Sequence, residues 1–251
     1  MRTFAIGDIH GGLKALKQLL EKLQITKEDK LIFLGDYVDG WSESAQVIKY
    51  LIELSKTINC VFIKGNHDVW CEEWLSFGIG NQVWLLHGGK GTIESYGNFS
   101  KEQKRLHLNF FEAMDMYHID DQNRLFIHAG FTSMHGVESE HNIQNFYFDR
   151  TLWEMALTMD KRIEENSELY PKRLKHYKEI YIGHTPTTNF NQDKPMHAIN
   201  VWDVDTGAAF KGKLSAVDLE TKEVFQSDVV MSFYPDETGR NDKTYNQMNI
   251  N

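Results

Sequence analysis

The sequence predicts a single α/β domain, and three observations carry that expectation. Short apolar, β-rich runs alternate with stretches of helical period, which indicates βαβ units and a sheet covered by helices. The early runs each end in a glycine beside an Asp, Asn or His. No repeat, low-complexity tract or Pro/Ser-rich linker divides the 251 residues, which include only four prolines.

The first strand is read at TFAI (3–6). LKALKQLLEKL (13–23) follows, with Leu13, Leu16, Leu19, Leu20 and Leu23 on one helical face. KLIFL (30–34) reads as the second strand and SESAQVIKYLIELSK (42–56) as a helix burying Ala45, Ile48, Leu51, Ile52 and Leu54. CVFIK (60–64) is the third strand. The apolar stretch 69–119 reads as a helical insertion, with Leu106, Phe110, Phe111 and Met114 in its later part. RLFI (124–127) and EIYI (179–182) are further strands, separated by a helix at 151–163. INVWDVD (199–205) and KLSAVDL (213–219), joined by TGAAFKG, read as a hairpin-like pair. The domain is expected over 1–235, with the polar stretch 236–251 frayed.

The composition, 41% hydrophobic and 25% charged, is that of a globular chain. A net charge of −9 argues against a bulk nucleic-acid binder, which presents a basic face. It leaves room for phosphate-bearing substrates where metal ions supply local positive charge. Two cysteines, Cys60 and Cys71, form no disulfide framework and suit a reducing compartment. A strand beginning at Thr3 leaves no room for a signal peptide, and no apolar run has the length of a membrane span. A cytoplasmic, membrane-free protein is expected.

The strand ends hold the chemistry. In order they read Gly7-Asp8-Ile9-His10-Gly11, Gly35-Asp36-Tyr37-Val38-Asp39, Gly65-Asn66-His67-Asp68, His128-Ala129-Gly130 and Gly183-His184-Thr185. Open α/β sheets place ligand sites at the carboxyl ends of their strands. Singly, each string has an ordinary reading: a loop hydrogen bond for Asp8 and His10, a turn with a capping Asp68, a satisfied buried histidine for His128 or His184. Pooled, Asp, Asn and His without cysteine suit Mn²⁺, Fe or Zn²⁺ at mixed nitrogen and oxygen sites. With a bridging carboxylate such a set holds two ions about 3.5–4 Å apart and activates a water between them.

The five strings, in this order, resemble the phosphoprotein-phosphatase family of calcineurin-like metallophosphoesterases, and GG..T..SY at 88–96 resembles its bacterial serine/threonine protein phosphatase-like branch. The likeness runs from residue 3 to about 220. It implies a four-layer αββα sandwich with two mixed β-sheets and two divalent metal ions at its mouth, Mn²⁺ first among them in vitro. Asp8 and His10 would bind one ion, Asp36 would bridge, and Asn66, His128 and His184 would bind the other. His67 would protonate the leaving oxygen while Asp39 orients its imidazole. His87-Gly88-Gly89 rivals His128 for the fourth motif, but it falls inside the insertion, soon after Asn66, so His128 is preferred.

The chain departs from the resembled family where an arginine follows the second aspartate and another precedes the Gly-Asn-His string. Here those places hold Gly40 and Lys64. Lysine lacks the bidentate fork of arginine. Lys64 and Arg150, the latter in NFYFDRTLWEM (145–155), are the candidate phosphate contacts. Trp41 either stacks on an aromatic part of the substrate or packs in the core. The expected function is a dinuclear metal-dependent phosphoesterase in which metal-bound hydroxide attacks phosphorus directly. The leading substrate is a serine/threonine phosphoprotein, with small phosphomonoesters alongside. A dinucleoside polyphosphate such as diadenosine tetraphosphate is the alternative, with Trp70, Trp74, Trp84 and Tyr96 lining a peptide groove or a base pocket. A catalytically silent, phosphate-sensing module is the second alternative.

Overall fold

The computed structural model describes residues 1–241; the last part of the expected polar tail, 242–251, lies outside the described residues. Two five-stranded mixed sheets stand face to face. In the first, β1 (Thr3–Ile6), β2 (Lys30–Phe33) and β3 (Asn59–Phe62) run parallel. β9 (Lys213–Asp218) joins β1 antiparallel, and β10 (Val224–Val229) joins β9. In the second, β5 (Arg124–Ile127), β6 (Glu179–Ile182) and β8 (Val201–Asp203) are parallel. There β4 (Tyr117–Ile119) and β7 (Met196–Ala198) close the edges antiparallel.

Strand periodicity builds the layers. Phe4 and Ile6 point to one face of β1 and Ala5 to the other; Leu31 and Phe33 part from Ile32 in the same way. The outward set meets α1 (Leu13–Leu23) and α2 (Ser44–Leu54) in one core. Leu125, Ile127, Ile180 and Ile182 meet the helix Thr151–Thr158 in a second core. Between the sheets lies a third, in which Ala5, Ile32 and Val217 face Phe126 and Tyr181. This is the expected αββα sandwich, with α1 at its predicted bounds.

Several expectations are corrected. β8 and β9 are not a hairpin: each belongs to a different sheet, and TGAAFKG carries the chain across between them. Local alternation marks a strand but does not choose its partner. The end of the insertion is not helical, since Tyr117–Ile119 pairs with β5. The helix expected at 151–163 stops at Thr158. β4, β7 and β10 have no counterpart in the sequence reading. All three are edge strands, where one unpaired side relaxes the demand for an apolar run. Residues 236–241 are packed rather than frayed: Glu237 accepts hydrogen bonds from Ser42 N and Oγ at 2.9 and 2.6 Å. No described helix is long and apolar enough to cross a membrane.

Asp29 ties the start of β1 to the turn before β2. Its carboxylate accepts from Arg2 N at 3.0 Å, Thr26 N at 2.9 Å and Arg2 Nη2 at 2.7 Å. The Arg2 guanidinium holds this acid well below the usual carboxylate range. A depressed folded pKa stabilises the fold above the unfolded value and is lost as pH falls through the folded one. Asp29→Asn is expected to cost about 2 kcal/mol near neutrality. In urea titrations at several pH values that difference should shrink only below about pH 4.

Candidate active site

Five strand ends converge at one mouth of the sandwich. Asp8 and His10 follow β1, Asp36 and Asp39 follow β2, and Asn66 and His67 open α3 (Asn66–Phe77) after β3. His128 follows β5 and His184 follows β6. Nine described non-glycine residues have positive φ, and four are His10, Asp36, Asp39 and His184. Such conformations cost energy and are retained where the surroundings over-determine them. Two glycines are required by crowding: a Cβ at Gly65 would strike Asp36 Oδ1, and one at Gly183 would strike Asp8 Oδ1.

Asp36 stands at the centre. Its Oδ2 lies 3.6 Å from His10 Nε2 and its Oδ1 lies 3.4 Å from His128 Nε2, so the two oxygens face different groups of donors. On one side Asp8 Oδ2 is 3.8 Å from His10 Nε2. On the other, Asn66 Oδ1 is 3.2 Å from His128 Nε2. Asp68 keeps the loops in place, accepting from the backbone N–H of Asp36, Tyr37 and Gly65 at 2.7, 2.9 and 2.8 Å. The capping reading of Asp68 therefore holds beside the ligand reading of its neighbours.

The donor set fits two divalent cations. The Nδ1 atoms of His10 and His128 lie 2.8 Å from the carbonyls of Asp39 and Leu34, which assigns their protons and leaves Nε2 lone pairs facing inward. His184 Nε2 is buried with no described partner. Ligand atoms of His10, Asp36 and His67, and of Asp36, His128 and His184, lie within 4.8 Å of one another. Asp8 is raised well above the carboxylate range by burial, then by Asp205 and Asp36, the mark of acids crowded together without a cation.

His67 is turned away from the pure ligand role by Asp39, whose Oδ2 is 2.6 Å from His67 Nδ1. Nε2 then faces the cluster. Asp39 also accepts from Trp84 Nε1 at 2.7 Å and Thr92 Oγ1 at 2.5 Å. Burial pushes Asp39 up to about 7, against the pull of those two donors, and burial drives His67 well below its ordinary range. An anionic phosphoryl group near Nε2 favours the imidazolium again.

A cavity of about 510 Å³ opens above this floor, within the range for small-ligand sites. Trp70, Phe148 and Phe210 line it, with Arg150, Arg240, His87 and Asp205. Arg150 thus lies on the wall of the cavity. Lys64 does not: its Nζ is paired with Glu72 Oε2, and it is absent from the lining. Trp41 is 1% exposed, donates from Nε1 to Ala208 O at 2.8 Å, and packs. Of the four insertion aromatics expected at the pocket only Trp70 faces the cavity; Trp84 supports Asp39, and Trp74 and Tyr96 pack behind it. His87 lies on the rim, outside the ligand groups. Asp205 stands at one more strand end, in VWDVDTG, not singled out from the sequence; Trp84 is marked there only as a pocket aromatic, and nothing local marks Arg240.

Two variants separate these layers. Asp36→Asn removes a shared negative ligand, so metal analysis should find fewer ions per chain and activity should be lost. Trp84→Phe deletes one donor to Asp39 while leaving every ligand. It should keep the metal content and lower kcat about tenfold or more, as for loss of a hydrogen bond to a charged group.

The calcineurin-like phosphoesterase family matches residues 1–214. Similar proteins include bis(5'-nucleosyl)-tetraphosphatase PrpE [asymmetrical] of Oceanobacillus iheyensis, 29% identical over 240 residues, covering 89% of this chain and 90% of that one. The protein of the same name from Anoxybacillus flavithermus is 30% identical over 242 residues, 87% of this chain and 92% of its own. Among solved structures, a candidate diadenosine tetraphosphatase superposes with a TM-score of 0.61 at 17% identity, over 90% of this chain and 92% of that one. A serine/threonine phosphatase from Saccharomyces cerevisiae does so at 0.62 and 12%, over 91% and 80%. At such identities the structural likenesses speak for the fold alone. The family match takes in every strand end that meets at the cavity, and the chain belongs to the calcineurin-like phosphoesterases, metal-dependent phosphoester hydrolases.

Proposed function

We propose that the protein hydrolyses dinucleoside tetraphosphates asymmetrically. Water adds to one phosphorus, a P–O–P bridge breaks, and the four phosphates are divided between a nucleoside mono- and a nucleoside triphosphate. The observation that carries this reading is the aromatic wall beside the ligand cluster: Trp70 lies 5.1 Å from His67 and 5.8 Å from Phe148, ring centre to ring centre. A phosphoryl group over Asp36 leaves its nucleoside against this wall, where a base stacks. The relatives that match this chain over nearly its whole length bear the tetraphosphatase name, which favours a dinucleotide over the phosphoprotein expected first.

In this reading Asp8 and His10 would hold one ion, Asn66, His128 and His184 would hold the other, and Asp36 would be shared by the two. When bound, the ions neutralise phosphoryl charge and acidify a water; Mn²⁺ is the first choice in vitro. His67 carries the proton on Nε2 and passes it to the departing bridge oxygen, while Asp39, held by Trp84 and Thr92, fixes the ring from behind. Arg150 reaches the non-bridging oxygens from the rim. An intact donor set and an acid with its orienting carboxylate disfavour a silent phosphate sensor.

The test compares kcat/KM of Mn²⁺-reloaded protein on diadenosine tetraphosphate and on a phosphothreonine peptide. The dinucleotide should be preferred; preference for the peptide would return the site to protein dephosphorylation. Trp70→Ala should raise KM for the dinucleotide about tenfold or more and leave a small aryl phosphate little changed. His67→Asn should keep both metals and lose about 10²–10⁴ in kcat on an alkyl phosphate. The loss should be smaller on the tetraphosphate, whose polyphosphate leaving group needs its proton less.

A further inference from the structure

Position 40 is glycine and Lys64 is occupied by Glu72, so neither supplies a cation to the cavity. The structure brings one from the far end of the chain. We propose that Arg240 is a phosphate clamp, delivered into the cavity by the segment 230–241, and that Trp41 is the dock that holds this segment. The inference rests on the reading of the cavity as a phosphoester site.

The segment is pinned on both sides of the loop after β2. After β10 the chain turns through Val230–Phe233 and lays Tyr234 on Trp41, the rings 5.2 Å apart and 16° from parallel. The Tyr234 hydroxyl donates to Glu43, and the Glu237 carboxylate accepts from Ser42. Gly239 has φ +57°, and a Cβ there would come within 2.8 Å of both the Trp41 ring and Ala209 O. The next backbone N–H, of Arg240, donates to Ala209 O at 2.9 Å, beside the Ala208 carbonyl that takes the Trp41 indole proton. Trp41 is therefore the surface against which the residue before Arg240 is fitted.

The side chain is held as a cation in waiting. The Arg240 guanidinium lies over the Phe210 ring, 5.2 Å from its centre, and Nη2 is 3.3 Å from His87 Nδ1. It lines the cavity together with His10, Asp36 and His67. Its Nε is buried without a hydrogen-bond partner among the described residues, and no described carboxylate pairs with it at ion-pair distance. A structural arginine at such a place is normally paired, because a desolvated unpaired charge is costly. A planar fork with free donors, facing a phosphoryl site, fits phosphate oxygens.

The experiment uses the full chain loaded with Mn²⁺, inorganic phosphate as the titrant, and turnover of diadenosine tetraphosphate as a separate reading. Arg240→Ala should keep the metal content and thermal midpoint of wild type, while phosphate affinity and kcat/KM each fall about tenfold or more. Arg240→Lys should recover only part of the loss, because an ammonium cannot form the fork. Gly239→Val, with its arginine intact, should weaken phosphate as Arg240→Ala does, since its Cβ displaces the segment from Trp41. Phosphate bound by Arg240→Ala as tightly as by wild type overturns the clamp, whether or not the dinucleotide is hydrolysed. Phosphate weakened in Arg240→Ala, together with a wild-type protein that does not turn over the dinucleotide, upholds the clamp and removes the substrate reading instead.

Discussion

One carboxylate organises the mouth of the sandwich. Asp36 must turn its two oxygens to opposite groups of donors, one reached through β1 and the other through β5 and β6. Those strands lie in different sheets, so the arrangement exists only when the sheets are packed face to face. The apolar layer between them, with Ile32 next to the site on β2 and Phe126 next to it on β5, sets that distance. Asp68 locks the other variable by accepting three backbone N–H groups around Asp36. The backbone of Asp36 is held at φ 52°, a conformation a free chain would rarely choose.

The same constraint has a thermodynamic cost. Left-handed backbone at His10, Asp36, Asp39 and His184 costs on the order of 1–3 kcal/mol per residue. Asp8, Asp203 and Asp205 are buried near one another, and their burial raises all three acids. Cations bound in the site would relieve that repulsion, which would link metal binding to folding free energy. Behind this charged floor lie Trp84 and Thr92, which donate to Asp39, itself hydrogen-bonded to His67.

The cavity is asymmetric. Its floor is all ligand and acid, while one wall is aromatic and the rim carries guanidinium groups. The candidate ligands lie at the strand ends, whereas Trp70 comes from the insertion and Arg240 from the C-terminal segment.

The parts whose meaning is local can be read from consecutive residues. A strand, its terminal glycine and the adjoining Asp, Asn or His are consecutive, so Asp8, His10, Asp36, Asn66, His67, His128 and His184 were legible as a set, and α1 by its leucine period. Only the tertiary structure decided which sheet takes β8 and which takes β9, that Lys64 meets Glu72 instead of the cavity, and that Trp41 packs under Tyr234. It also decided that Arg240, in a stretch with no periodicity, reaches the site. Periodicity and turn chemistry record how a residue relates to its near neighbours. The partner of an ion pair, an edge strand or a packed indole lies far along the chain, and its choice is made by the geometry of the packed core.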